Sequence, residues 1–370
     1  MKLWLILVLQ ATLAAAFTTN RSNNIGKHHH QQPSASASSS SSSLDASALI
    51  IQNKGGGHGE LGYQLAKVLQ ENYKDKITNI TILQDEDCDM EKEPFKSYGT
   101  DLEGVEVNYL PISMGSDFID MHFMQNMLGG KRFSFEYVFD NASKKPVAEY
   151  KALVDCAAEW DNLKMYCYVS SAGMYTPDAD ADGPMSETTA VKESSGQYQF
   201  EQYVLEKKLP LVSFRPQYIY GEKANKFDYL DYYFEYILKD APVPMPGDGS
   251  QMVSLTNSKD VASLLASVLD KEEEAVAQRY FNCGTDRLVS YKEVAELCAK
   301  AASVSNVQIE STGDEKGDFP FRATNFYVAP DMAREKLGWE GAKNKLEDDL
   351  VSWYYKGYKE RKPFIDAVVE

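Results

Sequence analysis

Gly57-x-Gly59-x-x-Gly62 has a spacing that lets the backbone turn tightly and approach a bulky anion. Gly56-x-x-Gly59-x-x-Gly62 fits a second, closely related spacing equally well. Such a loop seats a diphosphate on the N-terminus of the following helix, where unpaired N–H groups and the helix dipole favour negative charge. An acidic residue about 20 positions further on is then expected to hold ribose hydroxyls, and Asp85 stands 23 residues after Gly62. Gly56, Gly57, Gly59, Gly62 and Asp85 are therefore the candidate contacts for a dinucleotide, NAD or NADP. The plain alternative is a glycine-rich turn with no ligand. Asn53, Lys54 and Gly55, inserted between strand and fingerprint, and Leu110, closing a later strand, weigh toward that alternative.

Val169-Ser170-Ser171-Ala172-Gly173-Met174-Tyr175 resembles the segment of extended short-chain reductases that supplies a catalytic serine, and the match selects Ser171. In that group a Tyr, with a Lys four residues later, opens the next helix. The Lys lowers the phenol pKa so that the Tyr relays a proton during hydride transfer. Alignment on the helix glutamate, Glu201, puts Glu193 at the Tyr position and Gln197 at the Lys position. A carboxylate is a poor substitute for a tuned phenol, and Gln carries no charge. Tyr-x-x-x-Lys recurs at Tyr63/Lys67, Tyr203/Lys207, Tyr355/Lys359 and Tyr358/Lys362, as chance allows among 23 tyrosines. Tyr203 lies ten residues beyond the required site, about 15 Å along a helix. All four pairs are read as decoys. Gly247-Asp248-Gly249-Ser250-Gln251-Met252-Val253 resembles a G-D-G-x-x-x-R segment of nucleotide-sugar enzymes, in which the Arg clamps phosphate. Here Val253 stands at that place.

The elements that would position these residues follow from apolar patterning. Ala48–Ile51 reads as a buried strand running into the glycine loop. Leu61, Leu65, Val68 and Leu69 then recur at helical spacing. Further strands are expected at 77–83, 105–110, 137–140, 165–169 and 211–214. Helices are expected around Phe118, Met121, Phe123 and Met127 and over 195–207, with a polar loop at 176–190. Strand and helix in alternation specify an α/β, doubly wound parallel sheet of the Rossmann, extended short-chain reductase type. A small C-terminal lobe follows. The expected organisation is a core over residues 45–220 and an interleaved substrate or RNA lobe over residues 221–370.

The first 44 residues read differently. Lys2, the apolar run Leu3–Leu9 and Ala14-Ala15-Ala16 form a signal peptide over residues 1–16. Residues 17–44 hold Arg21 and Lys27, no acid, and six consecutive serines from Ser38, the composition of a plastid transit peptide. His28-His29-His30 belongs to this leader. A plastid stroma reached by this two-part address is the preferred location, and secretion with a Ser-rich stalk is the alternative. Cys88, Cys156, Cys167, Cys283 and Cys298 are odd in number and show no C-x-x-C pair. They are read as reduced, buried thiols, with no metal site. The whole chain, 370 residues and 43% apolar, carries a formal charge of −17. Removal of Met1 to Leu44 takes away Lys2, Arg21 and Lys27 and leaves −20. No membrane-spanning run remains in the mature chain.

Several blocks together resemble one known family. They are Lys54–Gly62 (KGGGHGELG), Phe139-Asp140-Asn141, Tyr168–Tyr175 (YVSSAGMY), Phe214–Gly221 (FRPQYIYG), Pro242–Gly249 (PVPMPGDG), Tyr280–Gly284 (YFNCG) and Phe319–Pro330 (FPFRATNFYVAP). They are similar to the chloroplast stem-loop-binding proteins. These are atypical extended short-chain dehydrogenase/reductases of the NAD-dependent epimerase/dehydratase superfamily. The resemblance spans nearly all of Ala48 to about Tyr358. It implies binding of plastid RNA, including ribosomal RNA, roles in stabilising or processing it, and a divalent-metal (Mg) dependent endonuclease activity. A homo-oligomer or a hetero-oligomer with a related paralogue is expected.

Net acidity repels RNA at long range, so contacts must come from local clusters. Candidates are Lys131-Arg132, Lys144-Lys145, Lys207-Lys208 and the tail Lys356, Lys359, Arg361 and Lys362. Tyr229, Tyr232, Tyr233 and Phe234 could stack on bases, although a helical core face is their plainer use. Three functions are weighed: a plastid RNA-binding protein, an NAD(P)-dependent sugar-nucleotide epimerase, dehydratase or reductase, and a non-catalytic NAD(P)-sensing scaffold. The missing Tyr, Lys and Arg count against the second, and the acidic charge counts against the first.

Overall fold

The computed structural model describes residues 46–53, 60–110, 134–177 and 183–363, the side chains of residues 148 and 149 excepted. All of them belong to one compact unit, Leu44–Glu370. The expected leader peptides, and the helix around Phe118 to Met127, lie outside the described residues.

The apolar run forms β1 (Ala46–Gln52), buried at every position but Ser47. It does not alternate with polar residues because helices cover both faces, as parallel sheets require. Ala48 and Ile50 pack on one side with α1 (Leu61–Asn72), whereas Leu49 and Ile51 pack on the other. β2 (Ile77–Asp85), β3 (Glu106–Leu110) and β4 (Tyr137–Asn141) follow. Next come α2 (Ala148–Ala157), β5 (Met165–Val169), α3 (Gly196–Glu206) and β6 (Leu211–Pro216). α2 and α3 cover the Leu49 face.

The C-terminal part opens with β7 (Ile219–Tyr220), α4 (Asp228–Ile237), β8 (Val243–Met245), β9 (Met252–Ser254) and β10 (Thr256–Asn257). α5 (Ser258–Ser267) returns to pack on α1 beneath the sheet. Then β11 (Tyr280–Cys283) adds a seventh strand to the sheet, parallel to β6. Sequence reading missed it, because its polar Asn282 interrupts a run of only four residues. β12 (Leu288–Ser290), α6 (Tyr291–Ala301) and β13 (Ile309–Ser311) complete the lobe, where β12 pairs with β9 and β13 with β8. A core of its own, rich in Tyr and Phe from α4, α6 and residues 319–321, holds this lobe together.

The sheet order is β11-β6-β5-β4-β1-β2-β3 among the described residues. Strand order reverses between β1 and β4, and ligands of such sheets bind in the crevice at the C-terminal ends of those strands. The ends are tied together there: Asn141 Nδ2 donates to Gln52 Oε1 at 2.8 Å. All five cysteines are buried and unpaired. Among the described residues no helix is long and apolar enough to cross a membrane.

Candidate functional site

Gly56, Gly57 and Gly59 lie outside the described residues, as do Lys131 and Arg132. Gly62 is described, and the packing of α1 against β1 depends on it. Its N–H donates to Gln52 Oε1 at 3.1 Å. A Cβ at this position would sit 2.1 Å from that oxygen and 3.2 Å from Ile50 Cγ2. A side chain would push the helix off the strand, which is the part the third glycine plays in a dinucleotide cradle. Asp85 ends β2, buried, directly beside β1, and its Oδ1 accepts from the Asp87 N–H at 3.3 Å. Gly62, at the start of α1, and Asp85, at the end of β2, thus lie on elements packed against β1. Glu86 follows, its carboxyl held above the ordinary range by burial and then by Asp87 and Asp85.

One residue of the cradle carries a group that the motif does not explain. Glu60 precedes α1 and is 2% exposed. Its Oε1 accepts from Gln64 Nε2 at 2.5 Å, while Oε2 has no hydrogen-bond partner. Burial pushes its carboxyl pKa up, against the pull of Gln64 and of weaker neighbours.

The reaction end of the crevice lies past β5. Ser171 Oγ accepts the Gly173 N–H at 3.0 Å and so caps a short turn over Ala172–Met174. Residues 174–176 pair with 190–192 through Lys192 N to Met174 O (2.7 Å) and Thr176 N to Ala190 O (2.8 Å). This pairing brings Glu193 and the start of α3 beside the Ser171 turn. Ser195 caps α3, its Oγ accepting from Tyr198 N, so Glu193 falls in the turn ahead of the helix and is exposed. Gln197 is half-buried in the first helical turn. Neither position offers a phenol or a cation.

Behind this edge runs a buried polar network. Arg215 on β6 binds Glu201 on α3 at 2.9 Å, and Ser213 Oγ donates to the same carboxylate at 2.6 Å. Arg215 also reaches the Tyr175 hydroxyl at 3.2 Å, and that hydroxyl donates to Asn282 Oδ1 on β11 at 2.7 Å. Burial pushes the Tyr175 pKa up to about 12 against the pull of Arg215. A phenol 1% exposed and so hard to ionise is no replacement for the missing relay.

The Tyr-x-x-x-Lys pairs are engaged elsewhere. Tyr203 donates to Asp155 on α2 at 2.7 Å, and Lys207 meets the same carboxylate at 2.7 Å. Tyr63 donates to Asp101 at 2.6 Å. Tyr358 is buried in the lobe, and Lys362 pairs with Glu235. Lys359 lies over the Tyr355 ring at 5.0 Å.

Val253 is fully buried on β9, between Val289 of β12 and Phe326. A guanidinium clamp has no place in those surroundings. A cation that the sequence reading passed over does stand at the edge: Arg322. Its Nη2 donates to Gly173 O at 2.7 Å, and its guanidinium lies 3.7 Å from the Phe326 ring centre. The Arg322 N–H donates to the Tyr218 hydroxyl, and Tyr218 has a φ of +28°, a strained backbone for a bulky residue. The FPFR block carried the signal, since it was the most specific part of the pattern, but its spacing assigned Arg322 no role.

Of the candidate RNA contacts, Lys207 is neutralised by Asp155, while Lys208 is exposed at the end of α3 with φ +60°. In the tail, Lys356 pairs with Glu360, Arg361 with Asp231 and Lys362 with Glu235. Tyr233 and Phe234 are fully buried, and Tyr229 stacks on Phe321 at 5.6 Å, so α4 spends these rings on the lobe's core. Among the described residues, no three His, Cys, Asp or Glu side chains are arranged to hold a metal ion.

Residues 55–284 match the model of the NAD dependent epimerase/dehydratase family. The chain is similar to the chloroplast stem-loop binding protein of 41 kDa b of Arabidopsis thaliana, 28% identical over 256 residues, 67% of this chain and 64% of that protein. A trifunctional UDP-glucose 4,6-dehydratase, epimerase and reductase of the same plant is 24% identical over 323 residues, 81% of this chain and 46% of that protein. The chain thus spans less than two thirds of the length of either relative. Among solved structures, dTDP-glucose 4,6-dehydratase from Bacillus anthracis, in complex with NAD, superposes with a TM-score of 0.65 at 16% identity. The match covers 86% of this chain and 99% of that one. UDP-glucuronic acid 4-epimerase from Bacillus cereus, in complex with NAD, gives 0.62 at 15% identity, with 85% and 99% covered. At such identities the likeness speaks for the fold.

Proposed function

The chain belongs to the NAD dependent epimerase/dehydratase family, and from that membership we propose that it is a plastid RNA-binding protein on a reductase scaffold that has given up reductase chemistry. The observation that carries this reading is the state of the proton relay. Glu193 is exposed ahead of α3, Gln197 replaces the lysine, and the nearby phenol of Tyr175 is sealed and hard to ionise. Gly62 and Asp85 nevertheless keep the shape of a dinucleotide site.

Gly62, the N-terminus of α1 and Asp85 would hold NAD by its adenosine half. When bound, the nicotinamide supplies a hydride donor or acceptor. Beside it, Ser171 can donate one hydrogen bond, and among the described residues Glu193 and Gln197 there supply neither the phenol nor the cation of a reductase relay. RNA binding and a plastid location are drawn from the similarity to the chloroplast stem-loop binding protein, whose name states stem-loop binding and a chloroplast location for that protein. The reading extends to a metal-dependent endoribonuclease activity, which the resemblance implies; among the described residues no three His, Cys, Asp or Glu side chains form a cation cluster.

The test is RNA binding by the mature chain, measured with a labelled plastid stem-loop at two salt concentrations. Affinity should fall steeply with salt, because phosphate contacts release counterions. Absence of binding at low salt would overturn the reading and leave an NAD-sensing scaffold in its place.

A further inference from the structure

Two of the four basic clusters named from sequence hold lysines or arginines spent on acids: Lys207 on Asp155, Lys356 on Glu360, Arg361 on Asp231 and Lys362 on Glu235. Lys144 and Lys145 are not. Both are exposed, and neither has an ion pair among the described residues. They lie between β4 and α2, at the C-terminal edge of the sheet. Gly196, the first residue of α3, touches them directly. A Cβ there would stand 2.5 Å from Lys144 O and 2.8 Å from Lys145 Cβ. Only a residue without a side chain lets this segment lie against the helix start.

A third exposed lysine joins them. Lys192 has no ion pair among the described residues, and its carbonyl accepts from Ser195 N at 2.9 Å, just ahead of Gly196. Its own N–H binds Met174 O in the Ser171 turn. Three exposed lysines therefore flank the start of α3 in the fold. Among the described residues, the three exposed lysines stand beside one exposed acid in the adjoining chain, Glu193, on a protein of strongly negative net charge. Such a rim attracts a polyanion locally where the global field repels it.

We propose that Lys144, Lys145 and Lys192 form the phosphate-contacting surface for RNA, at the rim of the vacated catalytic edge. The proposal rests on the RNA-binding reading and places it. Lysines suit this task because they meet phosphates as freely rotating point charges, which favours backbone contact over base readout.

The experiment compares the wild-type mature chain with three variants: K144Q/K145Q/K192Q, the same three sites changed to Arg, and K207Q/K208Q. Each is titrated with a fluorescently labelled plastid RNA stem-loop over a series of salt concentrations. Each lost phosphate contact on a single strand removes about 0.7 from the slope of log affinity against log salt, so the triple Gln variant should lose about 2. Its affinity at moderate salt should fall roughly tenfold or more, by the same relation. The Arg variant should bind like wild type, and K207Q/K208Q should change little. All three lysines are exposed, so thermal midpoints should be unchanged and report intact folding. If wild type binds and the triple Gln variant binds equally well with the same slope, the contact surface lies elsewhere and this inference fails while RNA binding stands. Equal losses in the triple Gln and K207Q/K208Q variants also overturn it, because general charge would then be acting. If wild type does not bind at all, the RNA-binding reading fails and takes this inference with it.

Discussion

Arg215 and Glu201 close an ion pair of 2.9 Å between β6 and α3, with side chains 4% and 0% exposed. The pair fixes how far α3 can slide along the sheet. Gln197 is one helical turn before Glu201 and Glu193 is two intervals of four before it, so the pair also sets where both lie along the sheet.

Breaking that pair should be costly. Glu201→Gln leaves a buried guanidinium without its counter-charge, and such losses run to about 3–5 kcal/mol. Changing both residues to apolar ones of similar volume should cost far less, because the charge is then removed as well. Urea unfolding checks both variants, and a Glu201→Gln protein as stable as wild type would mean that the pair does not lock the helix.

Gly62→Val should lose dinucleotide affinity by calorimetry and should destabilise the fold by about 1–3 kcal/mol, the usual cost of overpacking. Its Cβ would collide with Gln52 Oε1, which already accepts from Asn141 and from the Gly62 N–H. Wild-type binding in this variant would show that the helix start is not the dinucleotide seat.

Stability should fall as pH rises through the range in which Glu60 ionises. Its folded pKa is raised above the ordinary 4.5 by burial. The folded state therefore keeps the proton longer than the unfolded chain. The stabilising contribution is complete below the unfolded value and is lost as pH climbs through the folded one. Glu60→Gln keeps an oxygen for Gln64 and removes the charge, so it should flatten this part of the pH profile and raise stability at neutral pH. Chemical unfolding across a pH series decides it, and an unchanged slope in Glu60→Gln would assign the dependence to other groups.

NAD should bind in preference to NADP. Asp85 and its neighbours Glu86 and Asp87 cluster at the end of β2, where a 2′-phosphate would meet carboxylates. Asp85→Asn should narrow the preference. Calorimetry with both dinucleotides tests this, and tighter NADP binding by wild type would contradict it.

The parts legible in sequence were those set by local patterning. The run Ala48–Ile51, the helical spacing after Leu61 and the position of Asp85 were each read within a few residues of where they fold. Tyr203 and Lys207, set aside on spacing, both meet Asp155. What sequence could not show was long-range. Arg322 finds Gly173 across 149 residues, and Tyr175 finds Asn282 across 107. β11 was too short and too polar to register as a strand. Nothing local to Gly196 signals that Lys145 packs against it.

The most direct test of the lost relay is turnover itself. The mature chain, supplied with NAD or NADP and a panel of nucleotide sugars, should form no epimerised, dehydrated or reduced product above a control without protein. A missing general acid/base alone removes about 10²–10⁴-fold in rate, and the buried Val253 offers no phosphate clamp for the nucleotide. Robust turnover would contradict the account. If that turnover survived Tyr203→Phe, an unrecognised group would be relaying the proton at this edge; if Tyr203→Phe abolished it, the pair set aside on α3 would be the working one.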